Sequence, residues 1–453
     1  MVKSNVIWIF GDQLRGQAIG YNGDPNAITP NIDNLARLGV NFTEAVSGFP
    51  LCCPFRGSML TSVYPHNCVP GHEYQMNPKQ KTIAHVFNEN GYHTAYFGKW
   101  HVDGYKEQNI RTADCFSEIN KGRATMHVVP PERRGGFERW IGYDNNNSPW
   151  DTWVHGGEGD VTNSFRLDGY ETDCLTDLLI DYLVEQKEKD NPFFAVLSVQ
   201  PPHDPYVAPD EFARNYKPHN IQLRDNVPNI DYIKEQAKQD LAGYYAQIEN
   251  LDMNLGRIRK SLNELGLADN THIMFFSDHG DMHGCHGQFK KTTPYQEAIS
   301  IPFIIGGEIS RYNGRLNGSC DVPINHVDIA PTTLGLCNID VPVWMEGTNY
   351  AHYRLRGSRS MEEPDSAYLQ SVIPTGHEDS IEFSWRGLVT KDGWKYVCFE
   401  NTAWLMFNLN DDPLEQMNLA YNSKYKDKRK ELNDRLKKWI NDTNDQFVLP
   451  DFK

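Results

Sequence analysis

The stretch NVIWIFGDQ at residues 5–13 decides the fold. Its apolar run ends abruptly at a glycine and Asp12, which is typical of a buried strand with polar groups at its carboxyl end. The segment TPNIDNLARLG at residues 29–39 is predicted to be a helix, because Pro30 lies near its start and Gly39 closes it. A buried strand that leads into a helix is typical of an α/β protein.

Three further helix–strand alternations follow. The predicted helices cover residues 82–92, 171–191 and 240–267, and the strands after them read HTAYFGKWH, PFFAVLSVQPPH and THIMFFSDHG. This alternation predicts a large, mainly parallel sheet sandwiched by helices. Three strands end in charged or metal-competent residues, namely Asp12, His203 and the pair Asp278-His279. Ligands of open α/β sheets bind beyond the carboxyl ends of the strands, so we expect the chemistry at that edge.

Two segments break the alternation. Residues 108–163 are rich in Gly, Asn, Arg and Trp and show little periodicity, which predicts an irregular, substrate-facing excursion. Beyond a polar stretch near residues 354–364, three β-rich runs (SIEFSWRGLVT, GWKYVCFE and AWLMFNLN) precede a last helix. We therefore predict a catalytic α/β domain at 1–360 and a C-terminal subdomain at 361–453, with a small antiparallel sheet and one helix.

Composition excludes several classes of protein. The 453 residues are 39% apolar, which supports a packed core and excludes a disordered chain. The formal net charge of −16 argues against nucleic acid as the main partner, although one local pocket can still bind a small anion. No run approaches the roughly 20 apolar residues that span a bilayer. The nine cysteines are scattered, without a zinc or disulfide pattern.

The N-terminus MVKSNVIWIFGDQ has an apolar run too short for a signal peptide. We therefore predict a cytoplasmic protein if the chain is complete, and a periplasmic or secreted one if a leader was removed.

The most specific segment is LCCPFRGSMLT at residues 51–61. Cys52 and Arg56 can both line the start of one helix, where the helix dipole favours anions. Taken alone, such cysteines are more often ordinary buried thiols. The whole string, however, resembles the C-x-P-x-R signature of the type I sulfatases, in the alkaline phosphatase superfamily. It departs from the family at Phe55, where Ser is commoner, and at Ser62, where Gly is usual.

The resemblance implies that Cys52 is converted to formylglycine by a formylglycine-generating or anaerobic sulfatase-maturing enzyme. It covers almost the whole chain, including GYHTAYFGKWH, VQPPHDPY and FFSDHGDMHGCHGQFKKTTPYQEAISIPFI. These motifs are similar to family segments that place Lys99, His101 and His203 in the pocket. Counting back from the end of the last motif, the family's active-site lysine falls on Lys291.

Two strand ends form the predicted metal site. Asp12 and Gln13 follow one strand, and Asp278 and His279 follow another, with residue 52 as the fifth ligand in the family pattern. A strand-end aspartate is otherwise often a turn or cap residue. Oxygen donors favour Ca²⁺. Gln13 replaces the usual second aspartate, as in branches that include phosphonate and phosphodiester hydrolases, and His279 replaces a frequent asparagine. Mn²⁺ and Mg²⁺ are therefore the alternatives.

The resemblance also implies roles for the remaining pocket residues. His203, with Lys291 close by, protonates the leaving oxygen, and His101 takes the proton whose loss expels sulfate. Arg56 and Lys99 stabilise the nucleophile and the transferring oxyanions.

Three functions stay open at this point. The first is a sulfatase acting on a sulfated carbohydrate, glycosaminoglycan or other polysaccharide-derived, because the excursion carries side chains that stack on sugars or bind anions. We predict that substrate is bound by Arg133, Arg134, Trp150 and His155; the alternative is an irregular structural loop. The second is a phosphonate monoester or phosphodiester hydrolase, prompted by Asp12-Gln13. The third is a non-catalytic binding homologue.

Overall fold

The computed structural model describes residues 3–104, 127–307, 316–357, 362–376 and 380–452. Within them, ten strands form one sheet in the order β10-β2-β9-β8-β1-β7-β3-β4-β5-β6. The strands are β1 (Asn5–Gly11), β2 (Val40–Phe42), β3 (His93–Lys99), β4 (Arg139–Tyr143), β5 (Trp153–Glu158), β6 (Ser164–Arg166), β7 (Phe193–Val199), β8 (Thr271–Ser277), β9 (Phe303–Gly306) and β10 (Gly318–Cys320).

The five central strands β8, β1, β7, β3 and β4 are parallel to one another. Antiparallel pairs extend the sheet on both sides, through β8 with β9 and β4 with β5. β1, β7 and β8 are buried along their whole length, and such strands are expected to be continuously apolar. The predicted mostly parallel sheet is confirmed.

Helices cover both faces of the sheet. The described helices are α1 (Pro30–Leu38), α2 (Cys52–Thr61), α3 (Ile83–Glu89), α4 (Glu171–Lys187), α5 (Asp210–Ala213), α6 (Asp231–Leu265), α7 (Gln296–Ile299), α8 (Ile329–Leu336) and α9 (Lys426–Asp442). Val6, Trp8 and Phe10 of β1 share one apolar cluster with α2, α3 and α8. Ile7 and Ile9 of the same strand share the other cluster with α1, α4 and α6. No described helix is both long and apolar enough to cross a membrane.

The strand ends place the functional edge. β1, β3, β7 and β8 run parallel and end at Gly11, Lys99, Val199 and Ser277. The side chains that follow these ends therefore lie along one edge of the sheet, and they belong to Asp12, Trp100, Gln200 and Asp278.

The segment predicted as an irregular excursion is partly regular. Residues 105–126 lie outside the described part, but the rest supplies β4 and β5 to the main sheet. Glycine is rare in strands, which is why the pattern was misleading. Here its absence of a side chain lets strands approach closely, since a Cβ on Gly142 would lie only 2.3 Å from the carbonyl oxygen of Gly98.

A second sheet of four antiparallel strands lies in the C-terminal part. Its strands are β11 (Ser366–Ser371), β12 (Trp385–Thr390), β13 (Trp394–Phe399) and β14 (Thr402–Asn408), and α9 packs against it. The sequence indicated the last three strands. It missed β11, because the segment SAYLQS has only six residues and half of them are polar. The domain boundary near residue 360 stays a prediction, because residues 358–361 lie outside the described part.

The C-terminal tail is tied to this sheet by one buried carboxylate. Asp445 accepts two hydrogen bonds from the guanidinium of Arg386, at 2.6 and 3.1 Å, and others from Tyr368 and Gln370. We expect Asp445→Ala to lower the free energy of unfolding by about 3–5 kcal/mol, because it leaves a buried guanidinium without its counter-ion. Denaturant unfolding measures this. Asp392→Ala, which removes two largely exposed ion pairs with Lys428 and Arg435, should cost about 1 kcal/mol or less. Equal losses in the two variants would contradict the assignment.

Candidate active site

The candidate site begins at the first residue of α2. The whole helix is buried, and Pro54 in its first turn lacks an N–H where the helix has no acceptor to offer. The helix ends at Thr61 and is capped by Ser62, whose φ of 56° is left-handed. Glycine is favoured in that conformation. Ser62 is held there by its hydroxyl, which donates to the carbonyl of Val327 at 2.6 Å and accepts from the N–H of Gly347.

Cys52 is buried among charged and ionisable groups. Its Sγ lies 3.1 Å from Nε2 of His279, 3.3 Å from Nζ of Lys291 and 3.5 Å from Oδ1 of Asp12. Burial and Asp12 raise the pKa of the thiol, but Lys291, Lys99 and His279 outweigh them, so the pKa lies below its ordinary value. The neighbouring Cys53 has a pKa well above its ordinary value, chiefly because of burial. The two adjacent thiols are therefore chemically distinct.

A buried guanidinium connects the two predicted metal-binding carboxylates. Nη2 of Arg56 lies 3.2 Å from Oδ2 of Asp12 and 3.2 Å from Oδ2 of Asp278. Nη1 donates to the carbonyl of Lys99 and to Ser198, both at 2.8 Å. Nζ of Lys99 contacts the same Asp12 oxygen at 2.7 Å. Two cations thus balance two anions, and the other oxygens of the carboxylates remain for further partners.

The donor set fits a divalent cation. Ligand atoms of Asp12, Cys52, Asp278 and His279 all lie within 4.8 Å of one another. Gln13 belongs to the same site, since its backbone N–H donates to Oδ1 of Asp278 at 3.0 Å. Its side-chain Oε1 is buried and has no hydrogen-bond partner among the described residues. A buried acceptor without a donor is costly, and a bound cation would satisfy it.

His203 and Lys291 form a hydrogen-bonded pair beside Cys52. Nζ of Lys291 donates to Nε2 of His203 at 3.0 Å, and Nδ1 of His203 lies 2.8 Å from the carbonyl oxygen of Asp204. Burial and the charge of Lys291 lower the pKa of His203 to about 3. Burial also opposes the charge of Lys291, yet the surrounding Cys52 and Asp12 raise its pKa above the ordinary value. The pair therefore consists of a neutral imidazole and an ammonium.

His101 has a different environment. It is buried, its φ is 57°, and neither ring nitrogen has a hydrogen-bond partner among the described residues. Burial and Lys99 hold its pKa well below the ordinary value. A neutral imidazole has one unprotonated nitrogen, and because no described residue competes for it, that nitrogen can accept a proton from a bound group.

The predicted substrate-binding residues do not all face a substrate. Arg134 and His155 are buried, and the prediction for these two residues is corrected. Arg134 donates to the carbonyls of Val129 and Val161, and His155 accepts from the N–H of Val129. Their hydrogen bonds fix the backbone at Val129 and Val161, two residues that lie outside the strands. Trp150 and Arg133 are partly exposed, and the side chain of Arg133 is 37% exposed.

Two residues that the sequence reasoning missed complete the site. Asp281 and Tyr206 hydrogen-bond to each other at 2.9 Å and enclose the amide of Gln13. The sequence feature that could have indicated Asp281 is its position in SDHGD, three residues after the predicted metal ligand Asp278.

Comparison with known proteins identifies the family. The sequence profile described as "Sulfatase" matches residues 4–339, and the one described as "N-sulphoglucosamine sulphohydrolase, C-terminal" matches residues 284–442. An ulvan-active sulfatase of Formosa agariphila is 32% identical, over 99% of this chain and 83% of the relative. An endo-4-O-sulfatase of Bacteroides thetaiotaomicron is 29% identical, over 85% and 81%. The structure of a putative sulfatase yidJ from Bacteroides fragilis has a TM-score of 0.84 at 26% identity, covering 99% and 97%.

The fold is therefore that of the alkaline phosphatase superfamily, and the candidate site lies at the carboxyl edge of the large sheet. The matched profile spans most of the chain and one relative exceeds 30% identity over nearly all of it, so the chain belongs to the sulfatase family. It is an enzyme that hydrolyses sulfuric esters, and the resemblance that the sequence indicated is confirmed.

The Lys291–His203 pair gives a testable titration. We expect Lys291→Met to raise the pKa of His203 from about 3, because removing a neighbouring cation stabilises the imidazolium. Burial persists, so the pKa should stay below its ordinary value. NMR titration of the imidazole nitrogens in metal-stripped protein measures this. Lys290→Met is the control, because Lys290 contacts Asp204 at 2.8 Å instead of the imidazole; an equal rise in both variants would contradict the assignment.

Proposed function

We propose that this sulfatase removes sulfate from a sulfated saccharide, glycosaminoglycan or other polysaccharide-derived, using formylglycine at position 52 and a divalent cation. The observation that carries the proposal is the position of Cys52, within 3.5 Å of Asp12, His279 and Lys291 at the start of a buried helix. A formylglycine-generating or anaerobic sulfatase-maturing enzyme is the partner that this requires. Ca²⁺ is the proposed metal, with Mn²⁺ and Mg²⁺ as alternatives.

The metal would be held by Asp12, Gln13, Asp278, His279 and residue 52, which supply mostly hard oxygen donors. A divalent cation beside a hydrated aldehyde lowers the pKa of a hydroxyl group and so supplies a nucleophile at neutral pH. The chain's own part is electrostatic. Arg56 and Lys99 lie fixed and dehydrated next to residue 52, where positive charge stabilises the negative charge that develops on the transferring oxygens.

Two histidines divide the proton transfers. His203 protonates the leaving oxygen from Nε2 with a proton taken from Lys291, whose ammonium donates to that nitrogen at 3.0 Å and is left as a neutral amine. Nδ1 stays on the carbonyl oxygen of Asp204 and takes no part in the transfer. His101 accepts the proton from the second hydroxyl of residue 52, since its nitrogens have no competing partner among the described residues.

A saccharide is the proposed substrate because of the relatives and because of two partly exposed residues, Arg133 and Trp150, which we call the rim of the site. The two relatives compared above are named for activity on ulvan and as an endo-4-O-sulfatase. Arg133 is partly exposed and lies 3.4 Å from Asp103, two residues beyond His101. Trp150 is half-buried, with its ring centroid 5.1 Å from that of Tyr170. An arginine fork and an indole face suit an anionic sugar.

The modification of Cys52 gives the first test. We expect mass spectrometry of the tryptic peptide containing residue 52 to show CHO in place of CH₂SH when the chain is made with a maturing enzyme. Cys52→Ser should lose multiple turnover, because serine has no second hydroxyl with which to expel sulfate. Cys53→Ser, the matched control, should keep turnover. An active Cys52→Ser together with an inactive Cys53→Ser would reject the assignment, and unmodified thiol in matured protein would favour a non-catalytic homologue.

The rim gives the second test. We expect Arg133→Ala and Trp150→Ala to lower kcat/KM for sulfated oligosaccharides about tenfold, the loss of one charge-assisted hydrogen bond or stacked ring. Turnover of a small aryl sulfate should change little. Arg139→Ala is the control, because this arginine is at the start of β4 and so at the opposite edge of the sheet. Equal losses on both substrates would contradict a saccharide site, and faster turnover of an aryl phosphonate than of any sulfate would favour a phosphonate hydrolase.

A further inference from the structure

Gln13 is the one amide ligand of the proposed metal site, and two side chains on the far side of the amide, Asp281 and Tyr206, hold it in place. Nε2 donates to Oδ2 of Asp281 at 2.6 Å and lies 3.4 Å from the hydroxyl of Tyr206. Its other end, Oε1, is buried and has no hydrogen-bond partner in the described part of the chain. The backbone of Gln13 is in the left-handed region, with φ at 69°, so the side chain is directed by an unusual local conformation.

Asp281 is itself immobilised. Its Oδ1 accepts the backbone N–H groups of His283 at 2.9 Å and Lys290 at 3.1 Å. Its Oδ2 accepts the Tyr206 hydroxyl at 2.9 Å in addition to the Gln13 amide. The side chain is buried, and its segment begins at Asp278 and ends at the active-site lysine. A rotation of the carboxylate would break four hydrogen bonds at once.

An ionised carboxylate can only accept hydrogen bonds, whereas an amide has one donor end and one acceptor end. Asp281 therefore permits only the orientation of Gln13 that turns Nε2 towards Asp281 and Oε1 away from it. Without that acceptor, the amide could turn its N–H₂ group towards the carboxylates of Asp12 and Asp278 and occupy the cation's place.

We propose that Asp281 is a positioning residue for the metal site. It fixes the Gln13 amide with the carbonyl oxygen towards the cation. It also supplies, behind the uncharged Gln13 side chain, a negative charge close to the cation. The inference rests on the proposed metal site and deepens it. Asp281 acts through Gln13, and it touches neither substrate nor the reacting atoms.

Metal binding by stripped protein tests the proposal directly. Calorimetry with Ca²⁺ and with Mn²⁺ should show that Asp281→Asn weakens binding about 10- to 100-fold, the range found when a group that orients a ligand is removed. Asp240→Asn is the control, because Asp240 is a partly buried carboxylate close enough to Asp281 for their charges to interact. It should leave metal affinity unchanged. Equal affinity in wild type and Asp281→Asn would overturn the inference, as would equal losses in both variants.

Exchanging the amide and the carboxylate between positions 13 and 281 gives a second, independent test. Gln13→Glu places a carboxylate against that of Asp281, so we expect it not to strengthen metal binding despite its added charge. In the double variant Gln13→Glu with Asp281→Asn, the donor and acceptor are exchanged, and metal affinity should recover to at least that of wild type. The metal-dependent rise in Tm should follow the same order.

These outcomes separate the two claims. If Gln13→Glu strengthens binding equally with Asp281 and with Asn at position 281, the two residues are not coupled and the inference fails. If wild-type protein binds neither cation, the proposed metal site is wrong, and the inference about Asp281 that rests on it is wrong as well. If Asp281→Asn does not fold, the Gln13→Glu variant still decides, because tighter binding there contradicts the inference.

Discussion

The buried guanidinium of Arg56 holds the catalytic edge together. It joins α2 to the ends of β1 and β8 through Asp12 and Asp278, and to β3 and β7 through the carbonyl of Lys99 and the hydroxyl of Ser198. Each of these groups would be costly to bury alone, because a charge that leaves water without a partner loses several kcal/mol of solvation. Together they form a closed set of charges and hydrogen bonds. The positions of four strand ends and one helix start therefore depend on a single side chain, and cysteine 52 lies one helical turn before it.

The same interaction explains how a structural charge network can also be reactive. Arg56 and Lys99 take the Oδ2 atoms, so the Oδ1 atoms of the two aspartates point towards Cys52 and His279, at 3.5 Å from the thiol and 3.7 Å from the imidazole. In the proposed reaction the cations would stay next to residue 52 without any reorganisation as charge develops there. Such fixed, dehydrated dipoles and charges are more effective than the same groups in water.

The sequence predicted this edge of the sheet well, because strand ends, glycines and the cysteine motif are local signals. It located Asp12, Asp278 and the Cys52 helix, and the family resemblance selected Lys291, which the structure brings to Cys52. It failed where neighbours along the chain do not determine the outcome. Arg134 and His155 have the composition of a sugar-binding surface, but both are buried, His155 within β5 and Arg134 against the ring of Trp140 in β4. Asp281 resembles any loop aspartate, and its relation to Gln13 exists only after residues 268 positions apart have folded together.

The two histidines of the site show how environment assigns opposite tasks to one residue type. Both imidazoles are neutral, because burial and nearby cations disfavour a second positive charge. They differ in their partners. Both nitrogens of His203 are engaged, Nδ1 with the carbonyl oxygen of Asp204 and Nε2 with the ammonium of Lys291, so the proton available on this side is the one that Lys291 donates to Nε2. No described residue hydrogen-bonds to His101, so the one unprotonated nitrogen of its neutral ring is open to accept a proton. In the proposed reaction the donor side of the site is therefore the side that holds the lysine. The direction of proton flow follows from hydrogen-bond partners, and it needs no difference in pKa between the two imidazoles.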